Sequence, residues 1–145
     1  MRAPGPMAYT GSMLRVALAI FLAAAAAAAA GPVEAQQRPL VVYTRTGGFI
    51  GVQDSMKVAR EGTVSSTNGD FRLSAKRLAT LRAWLRAARF PTLKRKYDAD
   101  YPIADGFVYG VTYGGRRVVV NEEAKAPPRL RRVLDLLGEI FIRGA

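Results

Sequence analysis

The side chains able to do chemistry in this chain are carboxylates, lysines, serines and tyrosines, because its 145 residues include no histidine and no cysteine. That excludes Ser-His-Asp and Cys-His catalysis, histidine-based zinc sites, thiolate metal clusters and any disulfide framework. Asp98, Asp100 and Asp105 have the spacing of half an oxygen-ligand cation site. They lack the turn glycine and terminal bidentate Glu of a calcium loop, and Lys94-Arg95-Lys96 beside them opposes a divalent cation. A solvated loop balancing its own charges explains them equally well. Glu122-Glu123 would point to opposite faces of a strand, so they do not converge as an acid–base pair. Ser55 and Lys57 share a strand face in the manner of a Ser-Lys nucleophile, but no oxyanion hole is recognisable. No enzymatic activity, cofactor or resident metal is expected.

Two further groups concern binding. Thr46-Gly47-Gly48-Phe49-Ile50-Gly51 is not a phosphate loop, since it lacks the Lys-Ser/Thr ending and opens a strand instead of a helix. Its Phe49-Ile50 pair is either part of the core or a bulky apolar tip presented to a partner. In the second case Gly47 and Gly48 let backbone approach closely. The other group is basic: Arg82, Arg86 and Arg89 form a helix stripe, followed by Lys94, Arg95 and Lys96, with Arg129, Arg131 and Arg132 further on. Solvated helix faces give the same pattern. Nucleic-acid recognition gains from aromatics exposed among the basic residues, whereas here the aromatics alternate toward the expected core. Weak polyanion binding is the functional expectation for this surface.

Residues 1–35 read as a Sec-type signal peptide. Arg2 and Arg15 precede an apolar run from Val16 to Ala30, and Val33-x-Ala35 is the preferred cleavage triplet, with Ala30 second. The run of fifteen residues is shorter than the roughly 20 of a spanning helix. Cleavage therefore leaves no membrane span in the mature form, located outside the cell or in the periplasm. Met7 and Met13 are alternative starts. The chain has 22 Lys+Arg and 11 Asp+Glu; Arg2, Arg15 and Glu34 lie in the leader, so residues 36–145 keep a net +10.

The elements that must position these residues follow from periodicity. Leu40–Thr44 is a β-branched run, and Ile50, Val52, Met56 and Val58 alternate after the glycines, which predicts a hairpin around Gly47-Gly48. Asp54 interrupts the apolar face and calls for a bulge or a paired charge. Arg60-Glu61-Gly62 turns the chain into a polar stretch, Thr63–Asp70, with a short strand at Thr63–Ser66. Ser74 caps a helix carrying Leu78, Leu81, Leu85 and Ala88 on one face, with Leu73 and Leu78 as its staple and Phe90-Pro91 as its end. After the Thr92–Asp105 connection, Phe107, Tyr109, Val111 and Tyr113 alternate into a Gly114-Gly115 turn. That turn pairs Val111 with Val118 and Tyr109 with Val120. A last helix starts at Pro127-Pro128, with Leu130, Val133, Leu134, Leu137 and Phe141 as its apolar stripe and Glu139–Arg143 as an i,i+4 pair. The expected fold is α+β: a four-stranded antiparallel sheet of two hairpins, order ββαββα, with both helices packed on one face.

With these segments placed, the chain resembles the emfourin family, protein inhibitors of protealysin found alongside thermolysin-like metalloproteases. The resemblance rests on Arg45–Gly51 (RTGGFIG), the Leu78–Phe90 helix ending in Ala-x-Phe, Asp105–Val111 (DGFVYGV) and Ala126–Leu130 (APPRL), and it spans roughly residues 40–142. It implies an inhibitor that docks on a secreted thermolysin-like metalloprotease and blocks its zinc site. Such enzymes favour bulky apolar residues just after the scissile bond, which makes Gly47, Gly48, Phe49 and Ile50 the expected protease contact. The strong basic charge and the export signal depart from the family's usual pattern, and place any target outside the cytoplasm.

Overall fold

Apolar–polar alternation builds the centre of the sheet. In the computed structural model, which describes residues 38–101 and 103–144, strands β1 (Val41–Gly47) and β2 (Val52–Val58) pair antiparallel from Val41↔Val58 to Gly47↔Val52. Strand β6 (Phe107–Tyr113) lies on the other side of β1, and β7 (Arg116–Asn121) pairs with β6 in the register expected, Val111↔Val118 and Tyr109↔Val120. The expected signal peptide lies outside the described residues. Gln36–Ala145 forms one compact unit.

The sheet has seven strands, not four. Beyond β2 come β3 (Thr63–Ser66) and β4 (Phe71–Arg72), and beyond β7 comes β5 (Lys96–Tyr97), giving the order β4-β3-β2-β1-β6-β7-β5. Strand β5 runs parallel to β7, so the sheet is mixed. The added edge strands β4 and β5 are two residues long, too short to show a period in sequence, and such short edges offer little template for pairing with another chain. The Thr92–Asp105 connection is thereby tied to the sheet at its middle.

Helix α1 (Ala75–Ala87) begins at Ser74, whose hydroxyl accepts the Arg77 N–H. It stops before Phe90 instead of at it. Arg89 takes a left-handed conformation with φ of 51°, and Phe90–Thr92 continues as a single 3-10 turn. The left-handed residue at 89 breaks the helix, and Phe90 itself re-enters a helical turn ahead of Pro91, so the expected exclusion of the pre-proline residue from helical geometry does not hold here. Helix α2 (Pro128–Arg143) buries Leu130, Val133, Leu137, Ile140 and Phe141. Glu139 reaches across to Arg77 on α1 at 3.2 Å, so the expected Glu139–Arg143 support is replaced by an interhelix pair.

Both helices cover the same sheet face. Val41, Tyr43, Met56, Val58, Val111, Val118 and Val120 meet Leu81 and Leu85 of α1 and the α2 stripe in one core. The opposite face carries exposed Thr46, Gln53, Ser55, Lys57 and Arg117. Phe90 is buried against Tyr113, ring centroids 5.2 Å apart. The core is therefore closed firmly at the β6–β7 turn; the other end differs.

Candidate functional site

At the β1–β2 end the inner sheet face changes from apolar to charged. Arg45 and Asp54 face each other across the two strands. The guanidinium donates from Nε and Nη2 to Asp54 Oδ2 at 2.9 and 2.6 Å. The charge that interrupts the apolar face of β2 is thus a paired one. Arg45 also lies over the rings of Phe107 and Phe141, 5.1 and 5.6 Å from their centroids. Everything beyond this pair lies outside the core.

What lies beyond is the turn Gly48-Phe49-Ile50-Gly51, closed by the Gly51 N–H donating to the Gly48 carbonyl at 3.0 Å. Phe49 and Ile50 occupy its corners and are 89% and 83% exposed. The core reading of this pair is therefore excluded. Gly47 and Gly48 hold positive φ of 112° and 74° and press on the start of β6. A Cβ at Gly47 would come within 2.3 Å of the Gly106 carbonyl oxygen, and one at Gly48 within 2.8 Å of the Phe107 ring. The Gly48 N–H donates to that same Gly106 carbonyl at 3.4 Å. Only glycine lets the two segments meet this closely.

The neighbouring segments are pinned in turn. Glu122 accepts the Phe107 N–H at 2.9 Å and donates its own N–H to the Phe107 carbonyl at 2.9 Å. Tyr101 donates its hydroxyl to Glu123 at 2.7 Å, a bond to a carboxylate that pushes the phenol's pKa up. Glu122 and Glu123 stand in the turn after β7 and not in a strand, so each has its own partner. Asp98 pairs with Lys96 at 2.8 Å and accepts from Asn121 at 3.0 Å, while Asp100 pairs with Lys125 at 2.5 Å. Two of the three aspartates considered for a cation site, Asp98 and Asp100, thus turn to separate partners. Among the described residues no group of three or more carboxylates is placed to hold a metal ion. A hollow of about 330 Å³ lies here, walled by Tyr101, Ile103, Phe107 and Val108 and rimmed by Asp98 and Asp100. Tyr101 and Val108 are 58% and 36% exposed, so this end of the sheet carries exposed apolar side chains besides Phe49 and Ile50.

A second concavity, about 570 Å³, opens between α2 and the inner sheet face beside Tyr43, Arg45, Tyr109, Arg131 and Asp135. Burial, followed by the nearby Tyr109, pushes the Tyr43 phenol up to about 12; burial and then Glu122 raise Tyr109. Both phenols are thus held neutral, without a base to activate them. Ser55 and Lys57 are exposed on the outer face with no hydrogen bond between their side chains. These arrangements can bind, but they show no poised nucleophile.

Most of the basic residues lie toward the opposite end, where Phe90 packs on Tyr113, while Lys96 reaches the carboxylate end through Asp98. Arg82, Arg86, Arg89, Lys94, Arg95 and Lys96 are all exposed. Arg82 donates to the Arg60 carbonyl, and Lys96 is the partner of Asp98. One residue that sequence reasoning left out of this group joins it: Arg116 donates to the Leu93 carbonyl, while the expected Arg129 donates to the Thr92 hydroxyl at 3.0 Å. Only the parallel β5–β7 pairing brings Arg116 there, and nothing local in the sequence signals it. No protein-family model, curated protein or solved structure matches this chain.

Proposed function

We propose that this protein is a secreted, non-catalytic inhibitor of thermolysin-like metalloproteases, with Phe49 and Ile50 as the wedge that enters the protease cleft. The observation that carries this reading is the near-complete exposure of both side chains at the corners of a glycine-framed turn. Water is a poor environment for a phenylalanine and an isoleucine side by side, and burying both in a partner's cleft would contribute about 3–6 kcal/mol. The backbone around them is locked against β6, so little order has to be gained on binding. The resemblance of Arg45–Gly51, Asp105–Val111 and Ala126–Leu130 to the emfourin family supplies the target class, and the leader-like residues 1–35 supply the location. Because the chain has neither His nor Cys, occupying the cleft is favoured over capturing zinc with a soft ligand.

The test is inhibition of a panel of thermolysin-like metalloproteases, thermolysin included, by purified residues 36–145. Stoichiometric inhibition is expected, weakened at least tenfold by Phe49→Ala/Ile50→Ala, the loss of about 1.4 kcal/mol or more of contact. Full inhibition by the double variant would remove the wedge, and no inhibition of any member would remove the target class. A second reading, an extracytoplasmic polyanion-binding module, draws on the exposed group Arg82, Arg86, Arg89 and Lys94–Lys96. It requires heparin or DNA retention that falls steeply with salt and with substitution of the three arginines.

A further inference from the structure

The wedge is half of a larger surface. We infer that Phe49–Ile50 and the Tyr101–Val108 hollow form one composite docking face, and that the hollow receives a lysine or arginine side chain from the rim of the partner's apolar cleft. This rests on the inhibitor reading and names the chemistry its target must have.

Three observations lead to it. The turn and the start of β6 are joined by the Gly48 N–H to Gly106 carbonyl bond and by contacts that admit no side chain at Gly47 or Gly48, so both halves are presented as one body. Exposed apolar surface lies on both halves: Phe49 and Ile50 on one, Tyr101 and Val108 on the other. The hollow is lined by Tyr101, Ile103, Phe107 and Val108 together with the carboxylates Asp98, Asp100 and Glu122, of which the two aspartates hold solvent-exposed ion pairs with Lys96 and Lys125 that an incoming cation can replace. A long cationic side chain fits that combination, because its methylene stem packs on apolar walls while its head pairs with carboxylates.

Charge complementarity selects the same partner. The unit carries a net +10, which by itself would repel a cationic protein surface. At this end the balance reverses. Asp98, Asp100, Asp105, Glu122 and Glu123 gather there, and the ammonium groups among them, Lys96 and Lys125, are already paired with Asp98 and Asp100. Arg45 is paired with Asp54, and Arg131, bonded to the Ala124 carbonyl, keeps its charge, so the five carboxylates still outnumber Lys96, Lys125 and Arg131. A partner with a basic rim is thus drawn to this end and repelled by the other, which orients the encounter.

The experiment uses residues 36–145 against the panel member that the unaltered protein inhibits most tightly. Tyr101→Ala and Asp100→Lys are each expected to raise the inhibition constant about tenfold, with unfolding midpoints unchanged and Phe49–Ile50 intact. Inhibition by the unaltered protein should weaken as salt is raised from about 0.05 to about 0.5 M, and Asp100→Lys should flatten that dependence. Tyr101→Phe, which keeps the ring, should inhibit like the parent. Unchanged constants and an unchanged salt slope in Tyr101→Ala and Asp100→Lys, while Phe49→Ala/Ile50→Ala still weakens inhibition, would overturn the composite face and leave the wedge standing. No inhibition by the unaltered protein would take down both.

Discussion

The central strands end in a glycine turn at each end of the sheet, and the two turns use their glycines in opposite ways. At β6–β7, Gly114 and Gly115 are the corner itself, with φ of 57° and 77° and open space where a side chain would be. Such a turn does nothing but reverse the chain. At β1–β2 Phe49 and Ile50 take the corner, Gly47 and Gly48 before it are pressed against the start of β6, and Gly51 after it stands in open space. The aromatics differ in the same sense. Phe90, near the β6–β7 turn, is buried on Tyr113, and Phe49 stands in water. One end of the molecule is finished by packing; the other holds apolar surface that neither the turn nor the core requires. Single exposed apolar residues are ordinary, but a cluster at one end marks a contact surface.

The largest effect expected from breaking this contrast is at the packed end. Phe90→Ala removes a ring that is 1% exposed and should destabilise residues 36–145 by about 3–5 kcal/mol, measured by urea unfolding. A loss below about 1 kcal/mol would mean that this end is no better packed than the tip.

Next comes the pair of turns themselves. Gly47→Val places a Cβ 2.3 Å from the Gly106 carbonyl oxygen at a φ of 112°, which should cost about 2–3 kcal/mol. Gly114→Asn, at a φ of 57° with nothing nearby, should stay within about 0.5 kcal/mol, since asparagine tolerates the left-handed region. Equal tolerance at both positions would show that the tip is not locked to β6.

A smaller effect tests the buried edge of the inner face near the tip. Tyr43 is 2% exposed and lines the concavity beside α2. Its pKa is raised from 10.0 to about 12, so the folded state favours the neutral phenol. That contribution is fully present below pH 10 and is lost as pH rises from 10 toward about 12. Tyr43→Phe should change stability little at neutral pH and should flatten the decline over this alkaline window. Identical alkaline profiles for the two proteins would assign the decline to other groups.

Which parts were legible in sequence follows from the length of each signal. The four long strands, the register of the β6–β7 hairpin and the two apolar helix stripes repeat often enough to be read. Strands β4 and β5, at two residues each, do not. Asp54 was readable as a misplaced charge needing a partner, and its partner is Arg45. The Gly47–Ile50 segment could be singled out, but not its exposure. Whether an apolar pair at a strand end faces in or out depends on where the hairpin turns relative to the core boundary, and that boundary is the Arg45–Asp54 pair. The anionic end was not legible at all. Asp98–Asp105 and Glu122–Glu123 are separated along the chain, and the β5–β7 pairing with the Asp98–Asn121, Asp100–Lys125, Tyr101–Glu123 and Phe107–Glu122 bonds brings them to one place.

The smallest effect is the most discriminating. Phe49→Ala/Ile50→Ala removes side chains that are 89% and 83% exposed, so the stability of residues 36–145 should change by no more than about 0.5 kcal/mol. A turn retained only for folding would resemble Gly114-Gly115 and lose something when altered. A turn retained for contact loses nothing in the free protein, and its cost appears only against a partner. Solubility supplies an intermediate readout: the double variant should self-associate less at high concentration, since the exposed patch is smaller. If the double variant instead unfolds at markedly lower urea, Phe49 and Ile50 pack on the domain in solution, and the contrast between the two ends of the sheet fails.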